Sequence, residues 1–425
     1  MKPYQLLIAV PACFALLAPP AVSKDLASVN RPEDAGFSSE RLERAQRLLD
    51  SHVEKQLIPG AIVLVARRGR IVYQHAFGYQ DRAKNLPMKP DALFRIASLT
   101  KPITSTAIMM LAEEGKIDIA NPVSLYLPEF RDLKVGVEKP NPATGKPELT
   151  LEAPIHAMTV QDLLRHTSGL TYGIFGNSEV DHLYQKANLF DQNQTLADLV
   201  TKLSKLPLAH QPGTVWEYSL STDVLGRLVE VTSGMVFDRF IAERITGPLR
   251  MPDTTFALSD AQAPRLALGS TAMPPVNRHP RYLSGGGGLY STAADYARFA
   301  QMLLNGGTLD GVRLLSPKTV ALMTSDSLPP NTERHTSVAL ILGAVGPLPE
   351  MGYSFGLGFG VRTDAGRNPL PGSVGDYYWA GITGTYFWVD PQEKLLTVFM
   401  VQLPQAKILE YQHLMRELVY QALTD

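Results

Sequence analysis

The sequence predicts an α+β fold: an antiparallel sheet assembled from N- and C-terminal segments, flanked by helices, with a mainly helical region inserted between them. Three observations predict it. Apolar, β-branched runs lie near both ends of the chain. Helical periodicity fills the middle. The 425 residues are 45% hydrophobic and 19% charged, an ordinary globular composition, and they hold no repeat or low-complexity tract.

At the N-terminus Lys2 precedes an apolar run, residues 6–17, and Ala21-Val22-Ser23 fits a small-x-small cleavage site before Lys24. Residues 1–23 are therefore expected to be an export signal, and the mature protein periplasmic or secreted. The run falls short of the roughly 20 apolar residues that span a bilayer, so no stable anchor is expected after cleavage. The sole cysteine, Cys13, leaves with that signal, which removes disulfides and thiol nucleophiles from the mature chain.

Residues 24–425 are expected to form one domain. Its sheet-bearing half covers about 38–115 and 290–425, and its helical half about 116–289. Residues 38–53 predict an amphipathic helix, with Leu42, Ala45, Leu48 and Leu49 on one face. Residues 61–66 and 71–77 predict strands joined at Arg68-Gly69, and the basic cluster from Arg67 to Arg70 reads as a solvated hairpin turn. Residues 94–97 lead into a helix over 99–114, closed by Gly115. Four prolines (Pro140, Pro142, Pro147, Pro154) make 134–158 read as a long surface loop. Helices are predicted over 196–206, 222–232, 237–245 and 293–304, the last capped by Ser291 or Thr292 and stopped by Gly306-Gly307. Residues 325–352 read as loop, 353–362, 385–389 and 395–402 as strands, and 408–423 as a final helix.

The formal net charge is −1, which leaves no broad electrostatic footprint for nucleic acid. The nine histidines include no H-x-x-x-H or H-x-H pair, so no metal site is predicted from spacing, and no cofactor is expected.

The chemistry centres on Ser98-Leu99-Thr100-Lys101, at the predicted start of a helix. Residues i and i+3 share a helix face, so the lysine amine can reach the serine hydroxyl. A serine needs an adjacent base to act as a nucleophile, and a helix N-terminus favours developing negative charge. The rival reading is a capping serine with a solvent lysine. The flanking residues, Phe94-Arg95-Ile96-Ala97 and Pro102-Ile103-Thr104-Ser105, make the segment far more specific.

This segment resembles the nucleophile region of the serine β-lactamase and penicillin-binding-protein superfamily, most closely the class C β-lactamases and family VIII carboxylesterases. The resemblance continues through residues 159–170, 212–226, 284–307 and 379–391. It implies a β-lactamase/transpeptidase-like fold and Ser98, Lys101 and Tyr218 as catalytic residues. Tyr218-Ser219-Leu220 is similar to the family's Tyr-x-Asn motif, with leucine where the amide stands. Trp379-Ala380-Gly381 resembles the Trp-x-Gly form of family VIII esterases. The resemblance implies an oxyanion hole from the backbone N–H groups of Ser98 and Ile382. It places Trp379 as an apolar wall in place of a cation, with Gly381 alongside it, and Ser284 to Gly288 as a flexible segment near the site entrance. Tyr172 and Phe175 complete the predicted substrate pocket. The expected function is a carboxylesterase acting on short-chain or small esters, with no nucleic-acid partner. A β-lactamase, a D-Ala-D-Ala carboxypeptidase and a non-catalytic penicillin-binding sensor are the alternatives. Gly352-Tyr353-Ser354-Phe355-Gly356 matches a nucleophile-elbow pattern, but a strand follows the serine where that elbow needs a helix, so Ser354 is read as a strand residue. His166, in a Thr-Ser-Gly turn, is read as structural.

Overall fold

The computed structural model describes residues 26–145, 147–269, 276, 278–335 and 346–425. The export-signal reading of residues 1–23 and Cys13 lies outside them. No helix among the described residues is long and apolar enough to cross a membrane.

The main sheet comprises β1 (Gly60–Arg67), β2 (Arg70–Asp81), β3 (Tyr353–Phe355), β4 (Gly360–Arg362), β5 (Tyr377–Ala380), β6 (Tyr386–Asp390) and β7 (Leu395–Val401), in the spatial order β2-β1-β7-β6-β5-β4-β3. All of these neighbours are antiparallel. The pairing of β7 with β1, Leu395 opposite Arg67 through Val401 opposite Ala61, joins the C-terminal strands to the N-terminal hairpin. The short strand Ala27–Ser28 runs parallel along β2.

The principal helices are α1 (Ser39–Glu54), α2 (Thr100–Glu113), α3 (Ser221–Ser233), α4 (Ala293–Leu304) and α5 (Gln405–Tyr420). Ser38 caps α1 and Thr292 caps α4, each accepting a backbone N–H of the first turn. Consecutive strand residues face opposite sides of a sheet. On β6, Phe387 packs its ring on Tyr296 of α4, whereas Tyr386 and Trp388 meet Arg416 of α5. The two helices therefore cover opposite faces.

Three expectations are corrected. The stretch 134–158 is not an open loop but contains an antiparallel hairpin, Val135–Pro140 with Pro147–Glu152. Pro140 and Pro147 pair at the turn end of this ladder, where a missing donor costs least. The run 353–362 is two strands, bent back between Phe355 and Gly360, with Gly358 at φ 97°. Arg67 is not solvated: it is 3% exposed and ion-paired with Glu393 and Asp425, while Arg68-Gly69 does make the turn.

Candidate active site

Ser98 lies in the 3-10 turn Ala97–Leu99 that opens α2, and Lys101 follows one turn on. Ala97, immediately before the serine, holds φ 44°, a left-handed conformation that a non-glycine residue adopts only when its surroundings enforce it. The Lys101 side chain is buried, and its ammonium donates to Ser98 Oγ (3.2 Å), to the Tyr172 hydroxyl (3.1 Å) and to the Gly286 carbonyl (2.7 Å). An ammonium has three N–H bonds, and here each has an acceptor. Leu220, fully buried at the start of α3, offers Lys101 nothing. The Gly286 carbonyl is the backbone acceptor that meets the amine.

The two tyrosines meet Lys101 in different ways. Tyr218 presents its ring face to Lys101, with Nζ 4.4 Å from the ring centroid, and its hydroxyl makes no hydrogen bond among the described residues. Tyr218 and Ser98 line the same cavity, with no hydrogen bond joining the Tyr218 hydroxyl to Ser98 or Lys101 among the described residues. Its ring is fixed by its neighbours: Trp216 stacks on it at 6.2 Å, and His166 and Trp379 lie tilted against it at 5.0 and 5.5 Å. Tyr172 is the phenol bonded to the amine. Burial, then the nearby Tyr218, Asp223 and Tyr282, push its pKa well above the ordinary value, so it stays protonated.

Ser98, Tyr172, Phe175, Tyr218 and Gly381 all line one cavity of about 270 Å³. Trp379 does not line it, which corrects the expected apolar wall. Only 1% exposed, it packs behind the Tyr218 ring and against Phe355 at 5.2 Å. Ile174, Phe190 and Ile382 supply the apolar walls instead.

Gly381 shows how β5 reaches the serine. A Cβ there would meet the Ile96 carbonyl oxygen at 2.7 Å, and the Thr385 hydroxyl still closer. Thr385 donates to the Ile96 carbonyl and Thr383 to the Arg95 carbonyl, both at 3.1 Å. The turn after β5 is thereby stitched to the segment leading into Ser98. Within that turn the Ile382 N–H makes no hydrogen bond among the described residues, whereas Gly381 N–H donates to Thr385 O.

Residues 284–288 are wedged between α2 and α3, not a loose flap. Thr104 Oγ1 donates to Gly285 O at 2.8 Å, and a Cβ on Gly285 would lie 2.5 Å from Thr222 O. Asp223 was not anticipated. Its Oδ1 accepts from the Tyr282 hydroxyl (2.9 Å), Ser284 Oγ (2.6 Å) and the Gly286 N–H (3.3 Å). Gly286 thus links the Asp223 carboxyl to Lys101. An acid in the first turn of a helix is common for dipole reasons, so sequence alone did not single it out.

Ser354 sits on β3, and its hydroxyl donates to Asp326 at 2.5 Å, away from the cavity. His166 is 2% exposed at φ 58°, and burial, then the Lys101 charge, lowers its pKa well below the usual value, so it stays neutral. Both structural readings hold.

Residues 45–416 match the Beta-lactamase family model. The chain belongs to the beta-lactamase family. Among family members, Protein Rv1367c of Mycobacterium tuberculosis is 38% identical over 361 residues, covering 81% of this chain and 86% of that protein. Esterase EstB of Burkholderia gladioli is 29% identical over 404 residues, covering 88% and 91%. The solved structure of EstCE1, a hydrolase with promiscuous acyltransferase activity, superposes with a TM-score of 0.70 at 25% identity, covering 90% of this chain and 99% of that one. The expected fold is therefore the family's, and the protein is a serine hydrolase.

Proposed function

We propose that this member of the family is a carboxylesterase that forms an acyl-enzyme on Ser98 and favours small uncharged esters over β-lactams. The observation that carries the reading is the cavity around Ser98. Among the described residues the only cation at it is Lys101, whose Nζ is taken up by Ser98, Tyr172 and Gly286; Asp223 is the lining carboxyl group, and the walls are Ile174, Phe175, Phe190 and Ile382. A β-lactam carboxylate would forgo a charge-assisted hydrogen bond, about 1.5–3 kcal/mol, and would face a carboxyl group. An uncharged ester incurs neither cost.

In this reading Ser98 attacks the ester carbonyl, and its proton passes to Lys101 or Tyr218 and on to the departing alkoxide. The unengaged Tyr218 hydroxyl supports its contact with the leaving oxygen. Tyr172, kept protonated by burial, is a positioning residue that holds Lys101. The Ser98 and Ile382 amides receive the oxyanion. Water then releases the acid. Export, with cleavage between Ser23 and Lys24, belongs to the same proposal, and the N-terminal mass of protein recovered from a periplasmic fraction checks it.

The test is a comparison of kcat/KM for a p-nitrophenyl short-chain ester and a chromogenic cephalosporin. The ester should win by about tenfold or more, as the lost charge-assisted bond requires. A cephalosporin preferred by the same margin would overturn the substrate assignment. Ser98→Ala should lower ester turnover by on the order of 10⁴-fold or more.

A further inference from the structure

The nine histidines carry no metal-binding spacing along the chain, yet the fold brings two of them to one carboxylate. The short strand Glu333–Arg334 lies parallel to Val215–Trp216, with Arg334 opposite Trp216 and the His335 N–H donating to Trp216 O at 3.1 Å. That register sets His335 beside Glu217. His210 arrives from the loop after the helix Leu196–Leu203, where the Ala209 N–H donates to Gly169 O at 2.7 Å. The ligating atoms of His210, Glu217 and His335 all lie within 4.8 Å of one another.

The pairing inside this cluster is unusual. His210 Nε2 and Glu217 Oε2 are 2.5 Å apart, yet neither buried atom makes a hydrogen bond among the described residues. They face each other without the angle that a shared proton requires. The Glu217 side chain is only 3% exposed, and such a carboxylate is costly to bury without a well-placed partner. Asp181 lines the same cavity of about 260 Å³, and the charges of Glu217 and Asp181 reinforce burial in pushing the Tyr184 phenol upward. The site gathers negative charge and two imidazoles around an opening.

We propose that His210, Glu217 and His335 bind a divalent zinc ion, with water as fourth ligand. Two imidazoles and a carboxylate suit zinc, whereas an all-oxygen set would suit calcium or magnesium. With metal–ligand distances of about 2.0–2.2 Å, tetrahedral ligand atoms stand about 3.4 Å apart. Binding therefore parts His210 from Glu217 by just under about 1 Å. The ion acts as a clamp behind the catalytic cavity. Glu217 directly precedes Tyr218, and Phe175 lines both cavities. Metal chemistry on the ester forms no part of the role.

The test uses the full chain, stripped with a chelator and titrated with zinc chloride by calorimetry, with thermal melting in parallel. The expected result is one zinc per chain, a rise in Tm, and the visible absorption of a tetrahedral ion when cobalt(II) replaces zinc. His210→Gln and His335→Ala should each weaken zinc by on the order of 100-fold, since even outer-shell losses cost about 10–100-fold. Circular dichroism verifies folding, and two separate histidine variants keep the test valid if one fails to fold. Ser98→Ala should bind zinc like the parent, which separates this proposal from the acyl-enzyme reading. No stoichiometric binding by the parent, or binding undiminished in both histidine variants, would refute the site and leave a buried imidazole–carboxylate pair.

Discussion

Lys101 decides what each neighbouring group can do. Its Nζ lies within hydrogen-bond distance of Ser98 Oγ, the Tyr172 hydroxyl and the Gly286 carbonyl, and it faces the Tyr218 ring at 4.4 Å. The two phenols therefore differ in consequence. Tyr218→Phe removes a hydroxyl free to meet the leaving group and should lower kcat by about 10²–10⁴-fold, the range for a proton-transfer residue. Tyr172→Phe removes one bond to a charged group, worth about 1.5–3 kcal/mol, and should lower kcat by roughly 10- to 100-fold. Steady-state kinetics on one ester ranks them, and the reverse order would reassign the roles. Sequence marked Ser98, Lys101 and both tyrosines as candidates, and the fold gathers them at one cavity. It did not show which hydroxyl touches the amine, because that depends on ring orientation set by Trp216, His166 and Trp379, residues remote from one another along the chain.

Elements bring these residues together by backbone approach at glycines. Gly381→Ala would force a methyl group against Ile96 O and Thr385 Oγ1, prising the turn after β5 from the segment before Ser98. We expect ester kcat to fall by about tenfold or more, as such small misplacements can cost up to about 10². Circular dichroism should remain native, because the strand pairs beyond the turn persist. Unchanged kcat would show that this approach does not position the oxyanion donors. At this scale local chemistry was legible wherever it was self-contained: Ser38 and Thr292 cap their helices, Gly115 closes α2, and Arg68-Gly69 turns. It failed where tertiary pairing overrode local signals. Of the prolines that made 134–158 look open, Pro140 and Pro147 sit at the turn end of its ladder and Pro142 and Pro154 lie outside it, and residues 284–288 are ordered by Thr104 and Asp223 from other helices.

The whole molecule closes by joining its two ends. Strands β1 and β7 pair along their length, and α5 is pinned to the sheet by a buried ion cluster. Arg416 grips Asp376 with both terminal nitrogens (2.8 and 3.1 Å), and Arg362 Nε lies 2.9 Å from the same carboxylate, all three side chains being at most 1% exposed. Asp376→Ala strands two buried guanidinium groups and should cost about 3–5 kcal/mol. Urea unfolding measures this, and a loss under about 1 kcal/mol would mean that the cluster relaxes into solvent. The union of the two ends was legible from strand patterns at both termini. The ion cluster was not, since nothing local marks Asp376 as the partner of a residue 40 positions away.

The central claim is that Ser98 carries the acyl group. Incubating the protein with a p-nitrophenyl alkylphosphonate and mapping the adduct by peptide mass spectrometry tests it directly. One adduct is expected, on the peptide holding Ser98, formed as ester turnover is lost and absent from Ser98→Ala. An adduct on Ser354 or another residue, or Ser98→Ala retaining near-parental turnover, would contradict it.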